Sequence, residues 1–303
     1  MKRPFLSLLL YVTILVLVLT ACSSPTPQPP TPTPMPSGMV DVGGYKLFFQ
    51  CSGQGSPTVI LEAGGGGDST WWTKVMAGVQ GTTRVCAYDR ANLGRSDKAP
   101  KPRTIQDMTR ELQALLVNAH LGGPYILAGH SGGGLIVRVF ADQYPEEVVG
   151  IVLVDSAHPD MGLRLLAGLP PESADEPESI KAWRQWFTWM SNSNGPVPFQ
   201  DPEGWDMQAS NAQVRAAKPL GDLPLVVISR SPNSLLMAGW PSLPTETNAR
   251  LRQIWQDMQS ELAGLSSNST HVIAAHASHD IPNQEPTFVV DAILELVNKA
   301  RSR

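Results

Sequence analysis

The chain has 303 residues, 42% of them hydrophobic and 17% charged, with a formal net charge of −4 at pH 7. That length and apolar fraction suit one large α/β domain or two small ones, and they exclude a fibre or a disordered protein. The acidic balance and the lack of a basic stripe exclude a general polyanion binder, so nucleic acid is not expected as a partner.

In chain order, Met1-Lys2-Arg3 is followed by an apolar run from Phe5 to Leu19 and then by Leu19-Thr20-Ala21-Cys22. A basic start, an apolar segment shorter than a bilayer span and small residues before a cleavage point predict an export signal over residues 1–21 rather than an uncleaved anchor. The Leu-Thr-Ala-Cys ending resembles the lipobox of bacterial lipoproteins. That resemblance implies a lipidated Cys22 as the mature N-terminus and an extracytoplasmic protein held at a membrane surface without spanning it. Residues 22–38 are rich in Pro and Thr; such a segment favours polyproline II, cannot pack a core and reads as a semi-rigid tether.

The folded region is expected from about Met39 to the C-terminus. Val40-Asp41-Val42 and Tyr45 to Cys51 read as two strands joined at Gly43-Gly44. Pro57 to Glu62 is a third strand, ending in Ala63 and the four glycines Gly64 to Gly67. Asp68 or Ser69 can cap a helix carrying Trp71, Trp72, Val75 and Met76. A fourth strand, Thr83 to Tyr88, runs into Asp89-Arg90-Ala91-Asn92-Leu93-Gly94-Arg95-Ser96-Asp97. Ile105, Met108, Leu112, Leu115 and Leu116 lie at helical spacing. Tyr125-Ile126-Leu127-Ala128 is an apolar strand ending in Gly129-His130-Ser131-Gly132-Gly133, which passes directly into a helix. Val148 to Val154 is an uninterrupted apolar run, as expected of a parallel strand buried on both faces, and ends at Asp155. From Ser156 to about Asp222 this pattern breaks into a segment containing Trp183, Trp186, Trp189 and Trp205, read as a cap over a binding site or as a packed surface excursion. Strand and helix then resume with Leu223 to Ser229, a helix through Leu251, Trp255 and Met258, a strand from Thr270, and a closing helix from Thr287 to Val297. The pattern predicts a mostly parallel twisted sheet flanked by helices, with a helical insertion over about 157–222 between strands six and seven.

Cys51 and Cys86 form either a disulfide or two buried thiols. No CxxC motif or His/Cys cluster points to a metal, and no cofactor is expected. The four glycines lack the lysine of a phosphate loop.

With the glycine loop, the Asp89-Arg90 loop, Gly129-His130-Ser131-Gly132-Gly133 and a histidine after the last strand in this order, the region from Met39 onward resembles the α/β-hydrolase superfamily. The resemblance implies that fold, and it sets the second and fourth strands side by side, which favours a Cys51–Cys86 bridge. It makes Ser131 the nucleophile at a sharp strand-to-helix elbow. A serine hydroxyl needs a base within hydrogen-bond reach and donors for the oxyanion. The elbow supplies the Gly132 amide, and alignment of Ala63-Gly64-Gly65 with the family's His-Gly-x supplies that of Gly65; this chain has alanine where the family commonly has histidine.

Six histidines compete for the base. His279, in His279-Asp280-Ile281-Pro282, resembles the family's histidine loop and is preferred to His276. His120 reads as solvated, His130 as shaping the pocket, His158 as a candidate to line it, and His271 as opening a strand. The family's usual acid follows the seventh strand, where Ser229-Arg230-Ser231-Pro232-Asn233 offers no carboxylate. Some members take it from the end of the sixth, where Asp155 stands; the alternative for Asp155 is a turn cap before Ser156.

These readings predict a lipid-anchored serine hydrolase that cleaves carboxylic esters through Ser131, His279 and Asp155, on a small acyl substrate that a tryptophan-rich cap makes apolar or aromatic. A peptidase, acyltransferase or carbon–carbon hydrolase shares the same elbow. A serine nucleophile excludes the aspartate-nucleophile chemistry that the resemblance associates with haloalkane dehalogenases and epoxide hydrolases. The rival reading is a non-catalytic surface lipoprotein that uses the fold as a binding scaffold. The oligomeric state is not legible.

Overall fold

A computed structural model describes residues 37–192, 201–234 and 241–302. The signal segment, Cys22 and the tether up to residue 36 lie outside the described residues. The first strand begins at Ser37, two residues ahead of the expected start.

Eight strands form one sheet: β1 (Ser37–Asp41), β2 (Lys46–Ser52), β3 (Thr58–Glu62), β4 (Val85–Tyr88), β5 (Tyr125–His130), β6 (Val148–Val154), β7 (Leu225–Arg230) and β8 (Ser269–Ala274). Their order is β1-β2-β4-β3-β5-β6-β7-β8. β1 pairs antiparallel with β2, and β2 with β4; the remaining pairs are parallel. Cys51 sits opposite Cys86 in the β2–β4 register and the two are joined by a disulfide.

Alternation along the central strands divides the core into two layers. Ile60, Leu127, Ile151, Leu153 and Val227 face one side. Val59, Leu61, Ile126, Val152 and Val226 face the other. Because successive side chains point to opposite faces, a strand covered on both sides needs an unbroken apolar run, and β3, β5, β6 and β7 each have one. The first layer is closed by α2 (Ile105–Asn118) and α3 (Gly133–Gln143), the second by α1 (Thr73–Val79) and α9 (Pro286–Arg301). The start of α2 is fixed by a capping box in which Thr104 and Asp107 satisfy each other's backbone amides.

Between β6 and β7 come α4 (Met161–Gly168), α5 (Glu178–Asn192) and α6 (Met207–Ala216); α7 (Thr245–Ala263) follows β7, and the short α8 (Ile281–Gln284) precedes α9. A third core unites α3, the insertion and α7: Leu135, Ile136 and Val139 meet Trp183, Phe187, Trp205, Leu251 and Met258. Helix α3 therefore packs on the sheet with one face and under the insertion with the other, which explains why it is apolar almost all round. The parallel strands all end at one edge of the sheet, where Glu62, His130, Val154 and Arg230 close their strands.

Candidate active site

At the end of β5 the chain turns so sharply that Ser131 takes φ +51°, a left-handed conformation that costs a non-glycine residue about 1–3 kcal/mol and is tolerated only where packing enforces it. Packing does so here through glycines. A Cβ on Gly129 would lie 2.7 Å from the Gly133 carbonyl oxygen, one on Gly133 2.5 Å from that of Ala63, and one on Gly134 1.9 Å from Ser156 Oγ. The turn is held by Ser131 N–H donating to the Val154 carbonyl at 3.1 Å, and by Ala157 N–H donating to the Ser131 carbonyl at 2.9 Å. Gly132 is the N-cap of α3, so its amide stands at the positive end of an eleven-residue helix.

Asp155 follows β6, also left-handed at φ +41°, and is fully buried. His279 Nδ1 lies 2.6 Å from Asp155 Oδ2. Trp255 Nε1 donates to Asp155 Oδ1 at 2.8 Å, and the Arg230 amide to the same oxygen at 3.2 Å. The Arg230 guanidinium reaches Oδ2 at 3.5 Å through Nε. Burial would raise the Asp155 carboxyl, but Arg230, His279 and Trp255 outweigh it and hold it down to about 2. Asp155 is therefore an ionised acceptor that fixes the His279 proton on Nδ1 and leaves Nε2 as the basic nitrogen. Ser131 and His279 line one cavity. Among the described residues the serine hydroxyl is not hydrogen-bonded to the imidazole.

The other histidines separate by environment. His130 is buried inside the elbow, stacked on Trp71 at 5.5 Å and 4.6 Å from the His279 ring centroid. Its Nε2 donates to the His279 carbonyl at 2.8 Å, and its buried Nδ1 has no partner among the described residues. Burial, reinforced by His279, lowers it to about 3, so it is neutral and orients the histidine loop. His158 does not line the cavity, which corrects the sequence expectation: its ring turns outward to Asp160 and Glu261, and burial lowers it to about 4. His276 is exposed. His271 lies within β8, its Nε2 2.5 Å from Ser229 Oγ. His120, with φ +56°, ends the turn after α2.

The glycine loop is held from below by Arg90. Its Nη1 donates to the Ala63 carbonyl and its Nη2 to that of Gly64, each at 2.6 Å. Because the peptide is planar and trans, drawing the Gly64 carbonyl toward Arg90 turns the Gly65 N–H away from it. The Gly65 nitrogen lies 3.6 Å from where a Cβ on Gly132 would stand, and both glycines line the same cavity as Ser131. Arg90 is buried between Glu62 and Glu203, at 2.6 Å from each. Glu203 comes from the insertion and also accepts the Gly66 amide at 2.7 Å. Burial opposes its charge, yet Arg90 holds its carboxyl below the usual range. In the adjoining loop, Asp89 accepts the amides of Ser69 and Arg95, both at 2.8 Å, and Asn92 takes φ +73°.

The cavity above Ser131 has a volume of about 620 Å³. Trp71, Trp186, Trp189 and Trp205 surround it with Met161 and Met207, and among the described residues neither lysine nor arginine lines it. Its three acids are already engaged: Asp68 caps a helical turn, Asp201 accepts the Gly204 and Trp205 amides, and Glu203 pairs with Arg90. The arrangement suits a neutral, apolar group. Among the described residues no group of three or more His, Cys, Asp or Glu side chains is arranged to hold a metal ion.

Three contributors escape sequence reasoning. Trp255 reads as an ordinary core residue of an amphipathic helix, Glu203 as one acid of an irregular loop, and Arg230 only as the wrong charge where a carboxylate is expected. The single usable signal was that last absence.

Comparisons with known proteins agree with the fold. A profile of the alpha/beta hydrolase fold matches residues 57–289. A protein of Hormonema carpetanum named "Probable transporter efuK" is 29% identical over 88% of this chain, which spans 43% of that protein. The uncharacterized protein YqjL of Bacillus subtilis is 27% identical over 80% of this chain and 85% of its own length. Among solved structures, a thermophilic esterase from Thermogutta terrifontis superposes with a TM-score of 0.58 at 21% identity, over 87% of this chain and 98% of that one.

Proposed function

The chain belongs to the α/β-hydrolase fold family, and on that premise we propose that it is a serine hydrolase that cleaves carboxylic esters bearing an apolar or aromatic acyl or alcohol group. The observation that carries the reading is the 2.6 Å contact of His279 Nδ1 with buried Asp155 at the rim of the cavity that contains Ser131. His279 Nε2 takes the Ser131 proton as Oγ attacks the ester carbonyl. The oxyanion is met by the Gly132 and Gly65 amides. His279 returns the proton to the leaving alcohol, and a water activated by the same imidazole hydrolyses the acyl-enzyme. The tryptophan-walled cavity, whose acids are taken up by backbone amides and by Arg90, supports a neutral apolar substrate over an acidic or basic one. The support for a non-catalytic scaffold was the missing carboxylate after β7, and Asp155 occupies that role in this reading.

Leu19-Thr20-Ala21-Cys22 supports a further part of the proposal, that the mature protein is anchored by lipid on Cys22 at an extracytoplasmic membrane surface. A fluorophosphonate probe tests the chemistry: labelling of the wild type and none of Ser131→Ala is expected, whereas equal labelling of both, or of neither, refutes it. Hydrolysis of p-nitrophenyl esters against matching amides then separates esterase from peptidase. Metabolic incorporation of labelled fatty acid, lost in Cys22→Ala, tests the anchor.

A further inference from the structure

We propose that Arg230 is a positioning residue that sets the pH at which His279 becomes a competent base, acting through Asp155. The inference rests on the Ser131, His279 and Asp155 reading above. Arg230 ends β7, the strand beside β6, so its side chain leaves the sheet next to Asp155. The guanidinium is buried, with Nε 3.5 Å from Asp155 Oδ2, the same oxygen that takes the His279 Nδ1 proton at 2.6 Å. It also lies over the Trp255 ring at 4.2 Å, which holds it against the carboxylate. The strand thus delivers a cation at the position where most of the superfamily carries its acid.

Two opposing effects follow from this placement. The Asp155 carboxylate alone, unsolvated and 2.6 Å from the ring, favours the imidazolium. A guanidinium beside the same oxygen cancels part of that field and favours the neutral ring, the form that accepts the Ser131 proton. Arginine suits the task because it stays charged when buried. Among the described residues the other groups on the packed elements are neutral or turned elsewhere: Arg252 of α7 donates to the Asn233 carbonyl at 3.3 Å. From β5, His130 stands 4.6 Å from the His279 ring and is held neutral by burial. From α7 come Trp255 and Gln256, both uncharged.

The test compares wild type, Arg230→Met and Arg230→Lys by two readouts: the fluorophosphonate labelling rate from pH 5 to 9, and the NMR titration of the His279 ring, assigned by its loss in His279→Gln. Loss of the charge should move the acid limb of labelling, and the His279 titration with it, upward by about one pH unit. Below the limb that is about tenfold slower labelling. Arg230→Lys should stay near wild type. If the methionine variant labels more slowly by one factor at every pH and the titration is unmoved, Arg230 is structural only and the inference falls. If Arg230→Met does not fold, Arg230→Gln replaces it with the same expected shift. Failure of the hydrolase reading looks different: the wild type then shows no Ser131-dependent labelling, while the His279 titration still reports whether Arg230 acts on the ring.

Discussion

His130 makes the pH dependence of folding a sharp test of the site's packing. In the folded chain it is buried between Trp71 and His279 and holds no proton until the pH falls to about 3. In the unfolded chain a histidine takes up a proton near pH 6.5. Below 6.5 the unfolded state therefore binds a proton that the folded state refuses, and stability must fall with pH between about 6.5 and 3. At pH 4.5 this residue alone removes about 2.5 kcal/mol of the stability present at pH 7. His130→Gln is the informative change, since the glutamine amide can reach the position of Nε2, keep the bond to the His279 carbonyl and carry no titration. Urea unfolding of both proteins at pH 7.0 and pH 4.5 measures the difference. The variant should lose about 2.5 kcal/mol less than the wild type on acidification, with the carboxylate contributions common to both cancelling. An identical acid sensitivity in the two proteins would show that His130 is protonated in the folded state, and the account of a neutral, orienting His130 would be wrong.

Asp155→Asn should reduce the hydrolysis rate by about 10³-fold or more with the fold intact, because the amide no longer fixes the proton on Nδ1; near-normal ester turnover would remove Asp155 from the site. Gly65 and Gly132 should differ sharply under substitution by alanine. A Cβ at Gly65 meets nothing within 4 Å, whereas one at Gly132 lies 3.1 Å from Trp205 and 3.6 Å from the Gly65 nitrogen. Gly65→Ala is expected to remain within about twofold of wild type, and Gly132→Ala to lose about tenfold in kcat or more; steady-state kinetics on one ester decides. The disulfide closes a separation of 35 residues, so replacing Cys51 and Cys86 with alanine should cost about 3–4 kcal/mol in urea unfolding and leave the elbow chemistry in place.

Much of the fold was legible because it is written in short periods. The unbroken apolar runs of β3, β5, β6 and β7 declare strands covered on both faces, and the spacing of Ile105 to Leu116 declares a helix that needs only one neighbour. The Gly129 to Gly133 turn is equally local, since its glycines answer clashes within a few residues of Ser131 or with the adjoining strand end. His158 was misread because proximity to Asp155 in sequence says nothing of direction: the chain leaves the sheet after Ser156, and the ring follows α4 toward Glu261 on α7.

What the sequence determined by itself is therefore the set of parallel strands, the elbow that lifts Ser131, and the short list of residues able to complete a site at the strand ends. Only the tertiary structure decided how that list is connected. Glu203 meets Arg90 across 113 positions, Trp255 reaches Asp155 across 100, and His279 reaches it across 124. Those contacts depend on strand order and on which face each helix covers, and neither is encoded in any local period. Burial then fixes their strength: an ion pair or hydrogen bond formed where water is excluded governs the charge on Asp155 and the direction of the Gly65 amide, and exclusion of water is a property of the assembled layers alone.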